Sequence, residues 1–173
     1  YCSCRQADGC GRTGKHPLTK SGFKDATTNE AAIQKWWRHD PNANIAIRTG
    51  SQPDGAGLFI IDIDNHQHDE SGVSGFDTLR NLVEQYGDLP PTLTVITGSG
   101  GQHLYFRLPE GVRVPCSAGH IGIGIDVRGE KGYIIAPPSR HASGGSYTFV
   151  DEGMPIAMAP DWLIALLLQK HKA

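Results

Sequence analysis

The segment that most restricts how this chain can fold is Leu58-Phe59-Ile60-Ile61-Asp62-Ile63-Asp64, a nearly all-apolar run closed by two aspartates with one residue between them. It reads as a buried strand. Side chains alternate across a strand, so Asp62 and Asp64 leave on the same face, about 6 to 7 Å apart along the backbone. Two carboxylates at that spacing repel each other unless a cation sits between them. Mg2+ or Mn2+, with several oxygen ligands, suits such a pair, and two such ions can activate an attacking hydroxyl and stabilise a leaving pyrophosphate. An Asp-rich strand end leading into a turn accounts for the same residues without a metal.

Two later segments bear on that choice. In Ile121-Gly122-Ile123-Gly124-Ile125-Asp126-Val127-Arg128 the isoleucines and Val127 take one face of a predicted strand, and Gly122, Gly124, Asp126 and Arg128 take the other. Glycines there permit close approach of a ligand or another backbone. Asp126 is a candidate third metal ligand and Arg128 a candidate phosphate partner; an edge strand with an exposed ion pair is the plainer reading. In Thr97-Gly98-Ser99-Gly100-Gly101-Gln102-His103-Leu104-Tyr105-Phe106 a glycine loop leads into a strand on which His103, Tyr105 and Arg107 share a face. Gly-rich turns present backbone N–H groups to phosphate oxygens, Ser99 adds a hydroxyl, and a histidine just beyond can donate to a phosphate or sugar. A simple hairpin turn has the same composition.

Elsewhere the periodicity predicts a helix from about Asn29 to His39, opened by a capping box at Thr27–Glu30, and a helix marked by Phe76, Leu79, Leu82, Val83 and Tyr86 that Gly87 ends. Strands are expected at 44–49, 58–64, 92–97, 103–107, 121–128, 133–136 and 146–150, with a final helix over 160–171. The mixture reads as α/β with a largely antiparallel second half. Trp36 and Trp37 are candidates to stack on template bases, with core packing as the alternative.

Charge narrows the partners. Lys and Arg number 16 against 18 Asp and Glu, a net of −2. A module held to nucleic acid by counterion release alone carries a basic surplus, whereas an enzyme with metal-binding carboxylates receives local positive charge from its ions. No apolar run is long enough to span a membrane. The chain opens on Tyr1 and so reads as a fragment or an excised domain.

Three of the four cysteines fall in the first ten residues. Cys2, Cys4, Cys10 and His16 offer three thiolates and an imidazole, a set one tetrahedral Zn2+ can take. A loose reduced tail is the alternative, with His16 belonging to Gly14-Lys15-His16-Pro17 instead. His66 and His68 read as loop residues, and Cys116 as a small isolated thiol.

In order and spacing these segments resemble the primase-polymerase (prim-pol) domain of the archaeo-eukaryotic primase superfamily, in the form found in phage and plasmid replication proteins. The resemblance runs from Gly14-Lys15-His16-Pro17 through Trp36-Trp37, Asp62-Ile63-Asp64 and the Gly98–Phe106 loop and strand to Asp126-Val127-Arg128 and Ala136-Pro137-Pro138-Ser139. It implies an α+β fold whose RRM-like, largely antiparallel catalytic sheet has flanking helices and a smaller N-terminal unit. It implies metals on Asp62, Asp64 and Asp126 and nucleotide binding by His103, with Ser99, Gly100, Gly101, Arg128 and Lys131 near the triphosphate. The family often shows Ser-x-His, and here Gly101 stands in the serine's place. Ser139 and His141 follow the Ala-Pro-Pro-Ser turn and are expected to shape the site.

The expected organisation is a Cys-rich segment over 1–17, a catalytic domain over 18–158 and a C-terminal helix over 159–173. The expected activity is template-dependent joining of NTPs or dNTPs on single-stranded DNA, in the cytoplasm of a bacterial, phage or plasmid system, with a helicase domain or subunit as partner. A metal-dependent nuclease or phosphoesterase, and a non-catalytic module of a replication helicase, are the competing classes.

Overall fold

The structure is a computed structural model that describes Cys10 and residues 12–52, 55–65 and 72–169. Its elements in chain order are a 3-10 turn (Gly22–Asp25), α1 (Glu30–His39), β1 (Ile45–Arg48), β2 (Gly50–Ser51), β3 (Gly57–Ile63), α2 (Gly75–Tyr86), β4 (Thr94–Ile96) and β5 (Gln102–Leu108). There follow β6 (Ser117–Ala118), β7 (Ile125–Arg128), β8 (Tyr133–Ala136), β9 (Thr148–Phe149), β10 (Ala157–Met158) and α3 (Asp161–Leu168).

The apolar strand β3 lies in the middle of the larger sheet, ordered β6-β7-β3-β5-β4-β9, with β2 continuing along β3 and β10 along β5. Every pairing is antiparallel except β10 with β5. Alternation divides β3 between two cores. Phe59, Ile61 and Ile63 join Phe106, Leu108, Ile125 and Val127 under the helices, where Phe76, Leu79 and Leu163 pack. Ile60 faces the other way with Val95, Tyr105 and Tyr147, and is covered by Ile134 and Ile135 of β8. Burying both faces explains why β3 carries almost no polar residue until its last turn. Among the described residues no helix is long and apolar enough to cross a membrane.

The smaller sheet pairs β1 with β8, so the unit beside the main sheet is built from both halves of the chain. It is tied to the segment before it, where Tyr133 Oη donates to the Lys15 carbonyl at 2.9 Å.

Several boundaries differ from expectation for local reasons. Helix α1 is capped by Asn29, whose Oδ1 accepts from Ala32 N–H at 3.0 Å, while Thr27 Oγ1 accepts from Asn29 N–H. The capping box expected at Thr27 belongs instead to α2, where Ser74 and Asp77 bond reciprocally. The strand expected over 121–128 begins only at Ile125, because Gly122 and Gly124 have φ of 146° and 73° and form a turn. Helix α3 is assigned to Leu168.

Candidate active site

Antiparallel register gathers the site. Asp62 of β3 sits directly opposite His103 of β5 on one side and Asp126 of β7 on the other. Directly opposed residues project to the same face, so the row Asp126–Asp62–His103 presents its side chains together across three adjacent strands. Asp64 follows two residues on, just beyond β3, and its N–H donates to the Gly124 carbonyl at 2.9 Å. The structure therefore brings Asp62 into contact with His103 and Arg128, and Arg128 into contact with Asp126, with Asp64 just beyond.

The charges inside this row are unequal. Arg128 Nη2 lies 2.9 Å from Asp126 Oδ2 and 3.4 Å from Asp62 Oδ2, and His103 Nε2 lies 3.4 Å from Asp62 Oδ1. Burial of Asp62 raises its pKa, but the hydrogen bond and charge of His103 and the guanidinium of Arg128 outweigh it, leaving the carboxyl below the ordinary range. Asp126 goes the other way: burial, only partly offset by Arg128, combines with the Asp62 and Asp64 carboxylates to hold it above its usual value. Two carboxylates raise Asp126 while a single guanidinium bridges it to Asp62, so the row is short of positive charge.

That observation tests the fit of divalent metals. The donors are carboxylate oxygens, the set Mg2+ and Mn2+ prefer, and Arg128 stands where a cation would relieve the same repulsion. Asp62, Asp64 and Asp126 thus suit such ions in chemistry. Among the described residues no group of three or more His, Cys, Asp or Glu side chains already surrounds one metal position.

The remaining expected residues fall in different places. His103 is 4% exposed and aims at Asp62, with Nδ1 buried and unpaired. In the glycine loop, Gly100 N–H donates to the Thr97 carbonyl and Gly101 N–H to Thr97 Oγ1, at 3.0 and 2.9 Å. Those two amides close the hairpin, so the loop's exposed offering is at Ser99 and Gly100, and Ser99 Oγ is 3.1 Å from Thr97 Oγ1. Glycine is required at 101, because a Cβ there would lie 2.3 Å from the Ile63 carbonyl. Lys131 is exposed in the β7–β8 turn with φ of 60°, past Arg128, and the structure does not bring it to the acids. Gly122 meets α2, where a Cβ would lie 2.3 Å from Thr78 Cγ2, and the Gly124 carbonyl accepts from Asp64 N–H.

Some residues matter here that sequence reasoning did not single out. Tyr147 is buried with its ring 5.8 Å from that of His103 and 6.1 Å from that of His141, so the Ala-Pro-Pro-Ser segment reaches the row through it. Ser139, expected from the sequence to shape the site, is buried and both donates to and accepts from the Ile45 backbone. Gly75 packs against Asp64 and Gly124; the Ser74-x-x-Asp77 pattern was the available signal.

Trp37 Nε1 donates to the Ala43 carbonyl at 3.1 Å, which fastens the end of α1. Of the sulfur and imidazole set, Cys10 Sγ and His16 Nε2 are 3.1 Å apart. Cys2, Cys4, His66 and His68 lie outside the described residues. Cys116 is exposed, with Sγ accepting from Gly129 N–H at 3.3 Å.

Against known proteins, a family model described as Prim-Pol, bifunctional DNA primase/polymerase, N-terminal, matches residues 9–162. No curated protein matches the chain.

Proposed function

Because this chain belongs to the bifunctional DNA primase/polymerase (Prim-Pol) family, we propose that it joins nucleoside triphosphates into a strand on a single-stranded DNA template, using divalent metals held by Asp62, Asp64 and Asp126. The observation that carries this reading is the register that sets Asp62 between Asp126 and His103.

In the proposed reaction a 3′-hydroxyl attacks the α-phosphate of the incoming nucleotide and pyrophosphate leaves. Mg2+ or Mn2+, when bound, lowers the pKa of the hydroxyl and neutralises charge on the phosphorus. Asp62 is ready for this role because His103 and Arg128 keep it ionised. His103 fixes the direction of that carboxylate and borders the nucleotide. Arg128, released from Asp62 and Asp126 once other positive charge arrives, turns to phosphate oxygens, for which its planar donors are suited. Ser99, Gly100 and Gly101 shape the edge against the triphosphate, and Lys131 supplies a more distant positive charge. A helicase domain or subunit belongs to the same reading as the partner that exposes the template.

The test is incubation with single-stranded DNA, labelled NTPs or dNTPs, and Mg2+ or Mn2+, with and without a primer. Labelled product longer than the primer is expected, and product without primer identifies strand initiation. Shortened template with no incorporation would replace this reading with a nuclease.

Structural zinc on Cys2, Cys4, Cys10 and His16 is the second part of the proposal, supported by the approach of Cys10 to His16. Metal analysis of the purified chain should find about one zinc per molecule, the stoichiometry of a closed four-ligand site. Cys10→Ser should lower that content and the melting temperature together. A zinc-free wild-type chain with an unchanged melting curve in chelator rules the site out.

A further inference from the structure

Two basic side chains that the reaction described above does not use are held together at the edge of the same face. Lys15 and His141 are remote in sequence, yet Asn44 joins their segments. Its Nδ2 donates to the Gly14 carbonyl at 3.0 Å and the Arg140 carbonyl at 2.8 Å, and its Oδ1 accepts from Arg140 N–H at 3.0 Å. The residues that follow each anchor are Lys15 and His141. Tyr133 fixes the Lys15 backbone from the other side.

This pair is continuous with the acids. The His141 ring meets Tyr147 edge-on at 6.1 Å, Tyr147 meets His103 at 5.8 Å, and His103 points at Asp62. The glycine loop touches it as well. A Cβ on Gly98 would lie 2.3 Å from His141 Cβ, and Ser143 Oγ, 2.9 Å from His141 Nδ1, donates to the Gly98 carbonyl at 2.9 Å. Lys15 makes no ion pair with a carboxylate among the described residues. Burial and then the Lys15 charge hold His141 below its usual pKa. An ammonium without a carboxylate partner and an imidazole beside it can each donate to an anion.

We propose that Lys15 and His141 are phosphate-binding residues that take the distal phosphates of the incoming nucleotide, at the opposite end of the face from Asp126. This rests on the polymerase reading given above. It assigns a binding role to Lys15 of the Gly14-Lys15-His16-Pro17 segment and to His141. Lys15 supplies a mobile ammonium and His141 a ring donor, and charge-assisted bonds to phosphate are among the stronger polar contacts.

Calorimetric titration of the whole chain with ATP or dATP, and with AMP or dAMP, in Mg2+ and without DNA, tests the assignment. Lys15→Ala and His141→Gln should each weaken triphosphate binding roughly tenfold, as loss of one charge-assisted bond implies, and leave monophosphate binding unchanged. Lys15→Arg should restore most of the loss. Lys15 is exposed, so its replacement leaves the fold intact and keeps the result interpretable even where His141→Gln perturbs its loop. Triphosphate binding equal to wild type in both variants overturns the pair and leaves the polymerase reading standing. In a separate titration with single-stranded DNA, weaker binding by variants whose nucleotide affinity is unchanged also overturns it and assigns the pair to the template. A wild-type chain that binds no triphosphate overturns both readings.

Discussion

Replacing Asp62 with asparagine is expected to reduce strand synthesis by roughly a thousandfold or more, as losing several kcal/mol of transition-state stabilisation implies, while the chain stays folded. Asparagine keeps the shape and one accepting oxygen, enough for His103 or Arg128 but not both, and removes the charge at the centre of the row. Incorporation by Asp62→Asn at the wild-type rate would remove Asp62 from the site.

Melting curves in chelator separate its structural role from that of Asp126. The Asp62 carboxyl is held below its unfolded value. Its ionisation therefore contributes stability that is present above the unfolded pKa and lost as pH falls through the folded one. Asp62→Asn should lower the melting temperature near neutral pH and converge on wild type in acid.

Asp126 is held above its unfolded value, so the sign reverses. The stability its protonated form contributes is present below the unfolded pKa and lost as pH rises through the folded one. Asp126→Asn should thus raise the melting temperature slightly near neutral pH while abolishing synthesis. Stability given up where charges must converge is the usual relation between a working site and its scaffold.

The second large effect is expected at Gly75, which carries no functional group. A Cβ there would lie 2.2 Å from the Gly124 carbonyl, 2.8 Å from the Asp64 carbonyl and 3.0 Å from the Asp64 nitrogen. Its N–H also donates to the Asp64 carbonyl at 3.0 Å. Gly75→Ala must push α2 away from the ends of β3 and β7 together. Overpacking of this kind costs about 1 to 3 kcal/mol, and displacing the acids by even about 1 Å should cost roughly a hundredfold in synthesis. Ser74→Ala is the comparison, since it removes the cap at about 1 kcal/mol without crowding the backbone. Equal synthesis by the two variants would show that the contact at Gly75 does not position the acids.

Much of the site was legible because strand periodicity is a strong local signal. Asp62 and Asp64 at the end of β3, the His103 strand and the Asp126–Arg128 pair follow from alternation alone. That Asp62 lies between His103 and Asp126 does not, because register is decided by pairing between distant segments. The glycines of 121–124 were assigned to a strand face because a strand pattern ignores φ; positive φ at Gly122 and Gly124 makes them a turn against Thr78. The loop amides of Gly100 and Gly101 looked available for phosphate because their hydrogen bonds to Thr97 depend on the hairpin's geometry. Tyr147 and Asn44 were legible only as members of expected strands, since what each holds together lies far along the chain.

The central position of β3 also determines when the site can exist. Its partners β5 and β7 both come later in the chain, β7 by more than sixty residues. Pairings between such distant segments must overcome loop-closure entropy before they yield any contact energy, and they form late. Asp62 and Asp64 are therefore synthesised, and emerge from the ribosome, well before Asp126 and Arg128. The repulsion that Asp126 adds arrives on the same strand as its compensating guanidinium. Pairing of β3 with β5 sets Asp62 opposite His103 without β7, whereas the third carboxylate and its guanidinium join the row only with β7, and together.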